Sequence, residues 1–315
     1  GAVAALLWAL GHMRSPAQTL LWGQLMNFGH VPLFAVVASC VLGLCMGLLG
    51  DGLPRHRLYV VALVWSLALA GASEVLQVFD NRNVEALDFL RNAVGAVGAL
   101  ALWASVDRRL EVGAAWPGWR KHLRWFAVVI VLAALVPVAM MAESYRRMDG
   151  RVPVLFHFDS VLELPFIRKY DAELELVRSP QGWTEYAGRR VGRVTFQRAR
   201  HPTIAIFEMH RDWEAYEWLE WDLFLEGDLA IDVVLRIDDL EANGRYKDRF
   251  NVKLPLRPGS NRLRIPLAEV REGPESRAMN LGAINTLMLF VSRPEEPVFV
   301  CVADLKLVRA KEERR

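Results

Sequence analysis

The chain is poor in the residues that announce chemistry by motif. Its 315 residues include three cysteines. Cys40 and Cys45 fall five apart in an apolar run, on different faces of a helix, and Cys301 stands alone in the second half. That spacing excludes an intradomain disulfide and leaves no CxxC pair to hold zinc. There is no GxSxG elbow, no HExxH helix and no glycine loop for phosphate. The net charge is only +2, and no basic stripe carries interleaved aromatics, which excludes nucleic acid as a partner. Repeats and low-complexity segments are also missing. What is plentiful is apolar: 53% of the residues are hydrophobic, high for a purely soluble chain. Up to about Ala142, Ala, Leu, Val and Gly dominate; from Glu143 onward, charged residues are frequent and apolar ones alternate with polar ones. The two halves are suited to two different solvents.

A helix needs roughly 20 apolar residues to cross a bilayer. His30 to Gly50, Leu58 to Phe79 and Trp125 to Ala142 meet that length, as does Asp88 to Val106 if its polar start lies at the interface. The run Ala2 to Leu10 is too short alone and reads as the end of a span, giving four complete helices and a partial first one. Short cytoplasmic loops carry the excess of Lys and Arg. Arg55 and Arg57 in one loop, and Arg108, Arg109, Arg120, Lys121 and Arg124 in another, therefore predict two inside loops, which sends everything after Ala142 outside. Arg146, Arg147 and Arg151 run against the rule, but large domains translocate largely regardless of charge.

With that topology His30, Glu74, Gln77, Arg82, Asp88 and Asn92 converge on the outer membrane face. Glu74 and Gln77 are one i, i+3 step apart, Asp88 and Asn92 one i, i+4 step, so each pair shares a helical face. Glu74 lies roughly 7 Å below the end of its helix and needs a partner, for which Arg82 is the nearest cation in sequence; Arg82 could serve Asp88 equally. Ser66 and Ala70 continue the Glu74 face, Gly95 and Ala99 that of Asp88 and Asn92. Such small residues let two helices approach closely. The cluster reads either as a functional site or as a lock on the hairpin. The run Glu74, Gln77, Arg82, Asp88, Asn92, Gly95, preceded by His30 and Phe34, resembles the VanZ-like family of polytopic bacterial membrane proteins over about residues 1–106. The family usually has an Asp-Lys pair where this chain reads Met26 and Asn27. The resemblance implies a link to the cell envelope and to glycopeptide tolerance, with no agreed reaction.

In the second half WLEWDLFLEGD (218–228), LAIDVVLRIDD (229–239), FNVKLPL (250–256), NRLRIPL (261–267), NTLMLFV (285–291) and VFVCVADLKLV (298–308) alternate with period two, broken by Gly, Pro and Asn. This predicts an antiparallel sandwich or jelly roll with Leu219, Trp221, Leu223, Leu225, Val233, Leu235 and Ile237 pointing inward. Sugars bind by stacking on Trp and Tyr while polar neighbours read their hydroxyls. Trp183, Trp213, Tyr216, Trp218 and Tyr246 are the candidates, with Asp238, Asp248 and Arg249 as polar neighbours. Packing is the competing role for each ring. The strand order and the closing Asp304-Leu-Lys-Leu element resemble the galactose-binding-like β-sandwiches of carbohydrate-binding modules over about 157–308. That resemblance implies a structural calcium between the first and last strands, with Asp159 and Asp304 in the matching places.

The expected architecture is multi-domain: an α-helical transmembrane bundle (1–142), a linker (143–156), an all-β antiparallel sandwich of jelly-roll, galactose-binding-like type (157–309) and a charged tail (310–315). The expected protein sits in the bacterial inner membrane with its C-terminal domain extracytoplasmic. There it binds or organises envelope glycan or glycolipid without catalysis, in a role related to polysaccharide or antibiotic tolerance. Its partners are membrane lipid and envelope glycan or a lipid-linked precursor, and no cofactor is expected beyond the structural calcium that the sandwich resemblance implies. The alternatives are a membrane-interface enzyme acting on a lipid-linked sugar or phosphate, centred on His30, Glu74, Arg82 and Asp88, and a protein-interaction module on a membrane anchor.

Overall fold

A computed structural model describes residues 19–79, 86–110 and 118–309. The chain forms two compact units, Gly1–Ala142 and Glu143–Arg315. The first is helical: α1 (Leu20–Leu49), α2 (Arg55–Phe79), α3 (Ala86–Val106) and most of α4 (Trp119–Asp149). Helix α1 starts ten residues before the expected His30, because Thr19 caps it by accepting the Trp22 N–H and the apolar Leu20 and Leu21 extend it. All four helices are long and apolar enough to cross a membrane. Leu48, Val64, Trp65, Val129 and Leu132 are exposed, whereas Ala38, Ala62, Ala70 and Ala96 are fully buried. Large apolar groups outside and small ones inside is the reverse of a water-soluble bundle, and suits helices that must approach closely without a hydrophobic drive between them.

Helix α1 packs most extensively on α3. At Gly95 of α3 an added Cβ would lie 2.1 Å from the Val31 carbonyl oxygen of α1. The small residues of α3 thus serve α1; the expected tight seam between α2 and α3 is the looser one, Gly71 meeting only the Phe89 ring at 4.0 Å.

The second unit is an antiparallel β-sandwich. One sheet runs β3 (Ala172–Arg178), β4 (Arg190–Phe196), β11 (Val298–Val308), β6 (Trp218–Leu225), β9 (Gly259–Pro266), with β1 (Val154–Phe156) pairing to β11. The other runs β2 (Ile167–Tyr170), β5 (Thr203–Phe207), β10 (Ile284–Val291), β7 (Ile231–Asp239), β8 (Phe250–Leu256). A short helix, α5 (Leu267–Arg271), follows β9. The alternation dictates the core: Leu219, Trp221, Leu223, Leu225, Val233, Leu235 and Ile237 are buried as expected, with Leu287, Leu289, Val300 and Val302 beside them.

A second, smaller core lies on the outer face of the β1-containing sheet. There Trp183 and Tyr186, from the segment between β3 and β4, cover Val191, Cys301 and Ala303. Cys301 and Ala303 have the opposite phase to the inward Val300 and Val302, so this β11 segment is buried on both faces.

Candidate functional site

In the helical unit three of the six polar residues come together. The His30 ring Nδ1 lies 3.0 Å from Asn92 Oδ1, and Asn92 Nδ2 donates to Glu74 Oε1 at 3.2 Å. Asn92 is 0% and Glu74 4% exposed. One amide thus links an imidazole on α1 to a carboxylate on α2, using its oxygen toward the ring and its NH2 toward the acid. The other expectations are corrected. His30 stands within α1 rather than opening it, and Asp88 pairs with Arg91, one turn along its own helix. Arg82 lies outside the described residues, as does the side chain of Gln77. The arrangement satisfies buried polar groups across three helices, which is the chemistry of a lock.

In the sandwich the candidate rings do not form one platform. Trp183 (1% exposed) packs on Tyr186 and Phe224 at centroid distances of 4.5 and 5.7 Å; Trp213 (0%) donates its indole N–H to the His210 carbonyl. Both are core residues and are withdrawn as sugar platforms: period-two alternation cannot reveal that a loop between strands folds back over a sheet. Trp218 and Tyr216 are half-buried, with the Arg264 and Arg309 guanidinium groups 4.3 and 5.3 Å from their ring centroids. Asp248 is also structural. It accepts the Asn243 N–H at 2.8 Å and the Arg277 Nε at 2.6 Å, holding the segment that carries Tyr246.

The calcium expectation fares similarly. The β11 register shifts between Ala303 and Leu305, so Asp304 sits in a bulge that turns it toward His157, whose Nδ1 lies 2.6 Å from Asp304 Oδ1, and toward Arg189 at 3.6 Å. Glu163 nearby accepts the N–H groups of His157 and Phe158 and pairs with Arg151 at 2.9 Å. No group of three or more His, Cys, Asp or Glu side chains converges for a metal among the described residues. A cation needing six to eight oxygens would have to displace an imidazole and approach an arginine. The residues present do not fit calcium.

Asp304 raises the His157 pKa by hydrogen bonding to its ring, against the opposing effect of burial. Burial pushes Asp304 up, but His157, Tyr186 and Arg189 together hold it below the usual carboxylate range. The histidine contribution to stability is complete below its unfolded pKa of about 6.5 and is lost as pH rises through the raised folded value; the aspartate contribution is complete above about 3.9 and is lost as pH falls. We expect the melting-temperature gap between the wild-type chain and His157→Gln to be widest between about pH 4 and 6.5 and to narrow on either side. A gap independent of pH would show that the pair is not what the substitution removes.

Three of the predicted ligand residues, Tyr246, Asp238 and Arg249, do share one surface: the outer face of the β2–β5–β10–β7–β8 sheet. Strand pairing aligns Arg168, Ala205, Met288, Arg236 and Asn251 in one row across it, and Tyr170, Thr203, Phe290, Val234 and Lys253 in the next. A third row holds Phe207, Thr286 and Asp238. Thr203, Ala205 and Thr286 are short and buried, while their neighbours Phe207, Met288, Phe290 and Arg236 are half-buried. The face therefore interleaves short and bulky side chains, the bulky ones closing over the short. At its β8 side it opens into a cleft of about 1440 Å³ lined by Tyr246, Asn251, Lys253, Asp232 and the turns 225–231 and 294–299. Tyr246 is 70% exposed, with the Arg249 guanidinium 5.0 Å from its ring centroid. Asp238 is held by Arg236 through two hydrogen bonds of 2.6 and 3.0 Å. Arg236 and Asn251 escaped the sequence reading, although the inward phase of Leu235 and Ile237 already placed Arg236 on the outer face beside Asp238.

No protein-family profile and no curated protein sequence matches the chain. Solved structures do match the β-unit. A family 11 carbohydrate-binding module from Clostridium thermocellum, in complex with a β-1,3-1,4-mixed-linked tetrasaccharide, aligns at 16% identity over 50% of this chain and 95% of its own, with a TM-score of 0.40. An exo-β-agarase aligns at 16% identity over 50% of this chain and 25% of its own, with a TM-score of 0.41. An arabinose-bound α-L-arabinofuranosidase aligns at 10% identity over 50% and 26%, with a TM-score of 0.36.

Proposed function

We propose that this protein is a non-enzymatic, membrane-anchored glycan-binding protein of the bacterial envelope. The helices hold the chain in the inner membrane, the basic loops at 51–57 and 107–124 stay inside, and the β-unit meets envelope glycan outside. The His30–Asn92–Glu74 chain serves the anchor. The sugar lies along this face of the sheet and stacks on Tyr246. The observation that carries this reading is the Tyr246 ring, 70% exposed at the mouth of an open cleft, with Asn251, Lys253 and Asp232 within the same lining. An aromatic face beside a few polar side chains is what recognises a sugar ring and its hydroxyls. Asn251 donates its side-chain amide to the Tyr246 carbonyl at 3.5 Å, tying the segment that carries the ring to β8.

The test uses the full chain in lipid nanodiscs, which avoids glycosidic detergents. Envelope and plant oligosaccharides are titrated by calorimetry and saturation-transfer NMR. Binding is expected, and Tyr246→Ala is expected to weaken it by about tenfold or more with the unfolding midpoint unchanged, since an exposed ring contributes little to stability. Full affinity in Tyr246→Ala, or no binding across the panel, would overturn the reading.

A further inference from the structure

The proposed binding face is not electrically neutral. At its β7–β8 end Arg236 and Arg249 stand around the single carboxylate of Asp238, and Arg236 already engages both oxygens of that carboxylate. Arg249 Nε is buried and makes no hydrogen bond among the described residues. Burial, followed by the repulsion of Arg236, lowers the basicity of Arg249 against the opposing pull of Asp238. Across the face on β2, Arg168 is exposed and rests on the Phe207 ring at 4.7 Å, with no ion pair among the described residues.

The other acids, Glu226, Asp228, Asp232, Glu295 and Glu296, line the cleft that holds Tyr246 and lie toward its far end. Asp232 is paired with Lys253 at 2.7 Å, and Asp228, Glu295 and Glu296 lie on the turns at the opposite end of β7. From Asp232 to Arg236 is four residues, about 13 Å along a strand. Three guanidinium groups therefore accompany one carboxylate on the part of the sheet face that lies toward Asp238.

We propose that the glycan bound here is anionic, a polysaccharide carrying uronic-acid carboxylates, with Arg249 and Arg168 as the residues that select it. A guanidinium offers a planar fork that matches a carboxylate and stays charged at any physiological pH. The stacking of Arg249 against Tyr246 sets its guanidinium beside the surface on which a sugar ring would lie. This inference rests on the glycan reading above and names the ligand class of the same site.

The probes are oligogalacturonate and oligomannuronate, each compared with its own methyl ester. The esters keep the ring and the linkage and remove the charge. Titrations with the full chain in nanodiscs should give the acid forms at least about tenfold tighter binding than the esters, the scale of one charge-assisted hydrogen bond. Raising the salt should shrink the difference for the exposed Arg168 side. Arg249→Gln should bring the acid oligomers down toward their esters, and Arg168→Gln, on an exposed position that the fold tolerates, should lower them in part. Equal affinity for acid and ester, or a preference that survives both substitutions, overturns the anionic assignment while glycan binding stands. Binding of neutral oligosaccharides alone does the same. If no sugar of either kind binds, the glycan reading itself falls, and this inference with it.

Discussion

Gly95→Ala should unseat α1 from α3 and lower the thermal stability of the helical unit in nanodiscs by about 3 kcal/mol, the upper part of the range for overpacking. The new methyl carbon would stand 2.1 Å from the Val31 carbonyl oxygen, 3.0 Å from its carbonyl carbon and 3.1 Å from its Cα. All three are backbone atoms of a helix, so no side-chain rotation relieves the clash. The helices must separate. Separation would also stretch the His30–Asn92 contact of 3.0 Å, because Asn92 is one turn before Gly95 on α3 and His30 is next to Val31 on α1. The effect on stability and the loss of the polar link should appear together, the second as a change in the His30 ring resonances. Gly43→Ala on α1, where an added Cβ meets nothing within 4 Å, is the matched control and should be silent. An unaltered melting profile for Gly95→Ala would mean that α1 and α3 are farther apart than described.

The second large effect is expected at Arg277, which the sequence does not single out. Its Nη1 and Nη2 donate to Asp239 at 2.5 and 2.7 Å while its Nε donates to Asp248 at 2.6 Å. Asp239, whose side chain is fully buried, also accepts the Asn280 N–H at 2.8 Å. One guanidinium thus ties the end of β7 to the Tyr246 segment and to the approach to β10. Arg277→Met leaves a buried carboxylate without its cation, which typically costs about 3–5 kcal/mol. Glycan affinity should fall with it if Tyr246 binds sugar, since Asp248 orders that segment. Arg277→Lys keeps the charge and loses the fork, and should recover only part of the stability.

The pH dependence gives the sign. Burial pushes the Asp239 carboxyl up, but Arg277 and the Asn280 N–H hold it below the usual carboxylate range. Its contribution is present above the unfolded value of about 3.9 and disappears as pH falls through the lower folded value. The stability gap between wild type and Arg277→Met should therefore be constant near neutrality and close toward strong acid. A constant gap down to pH 2 would assign the loss to packing alone.

Much of the architecture was legible in the sequence because it depends on local periodicity and length. The change at Ala142 from unbroken apolar runs to alternation marks the boundary between the helical and the β-rich units, and four apolar runs became four helices long and apolar enough to cross a membrane. The six alternating segments between 218 and 308 all became strands, with Trp221 inward, since a pleated strand assigns its two faces by parity alone. That Glu74 needs a polar partner was legible too, but the expected partner was Arg82, and the described one is Asn92.

What only the tertiary structure decided concerns contacts between distant segments. Parity could place Arg236 on the outer face, but strand order alone brought Arg168, Met288 and Asn251 into line with it. Trp183 and Trp213 offered the same side-chain chemistry as Tyr246, yet they were removed from solvent by chain elsewhere, one in the loop core over β11 and the other with its backbone N–H bonded to Leu281. Asp304 met His157 because a bulge of one residue turned it there. A sequence pattern reports the solvent each local face prefers; which of those faces the rest of the chain then covers is set by packing across more than a hundred residues, as between His157 and Asp304, and no local signal carries it.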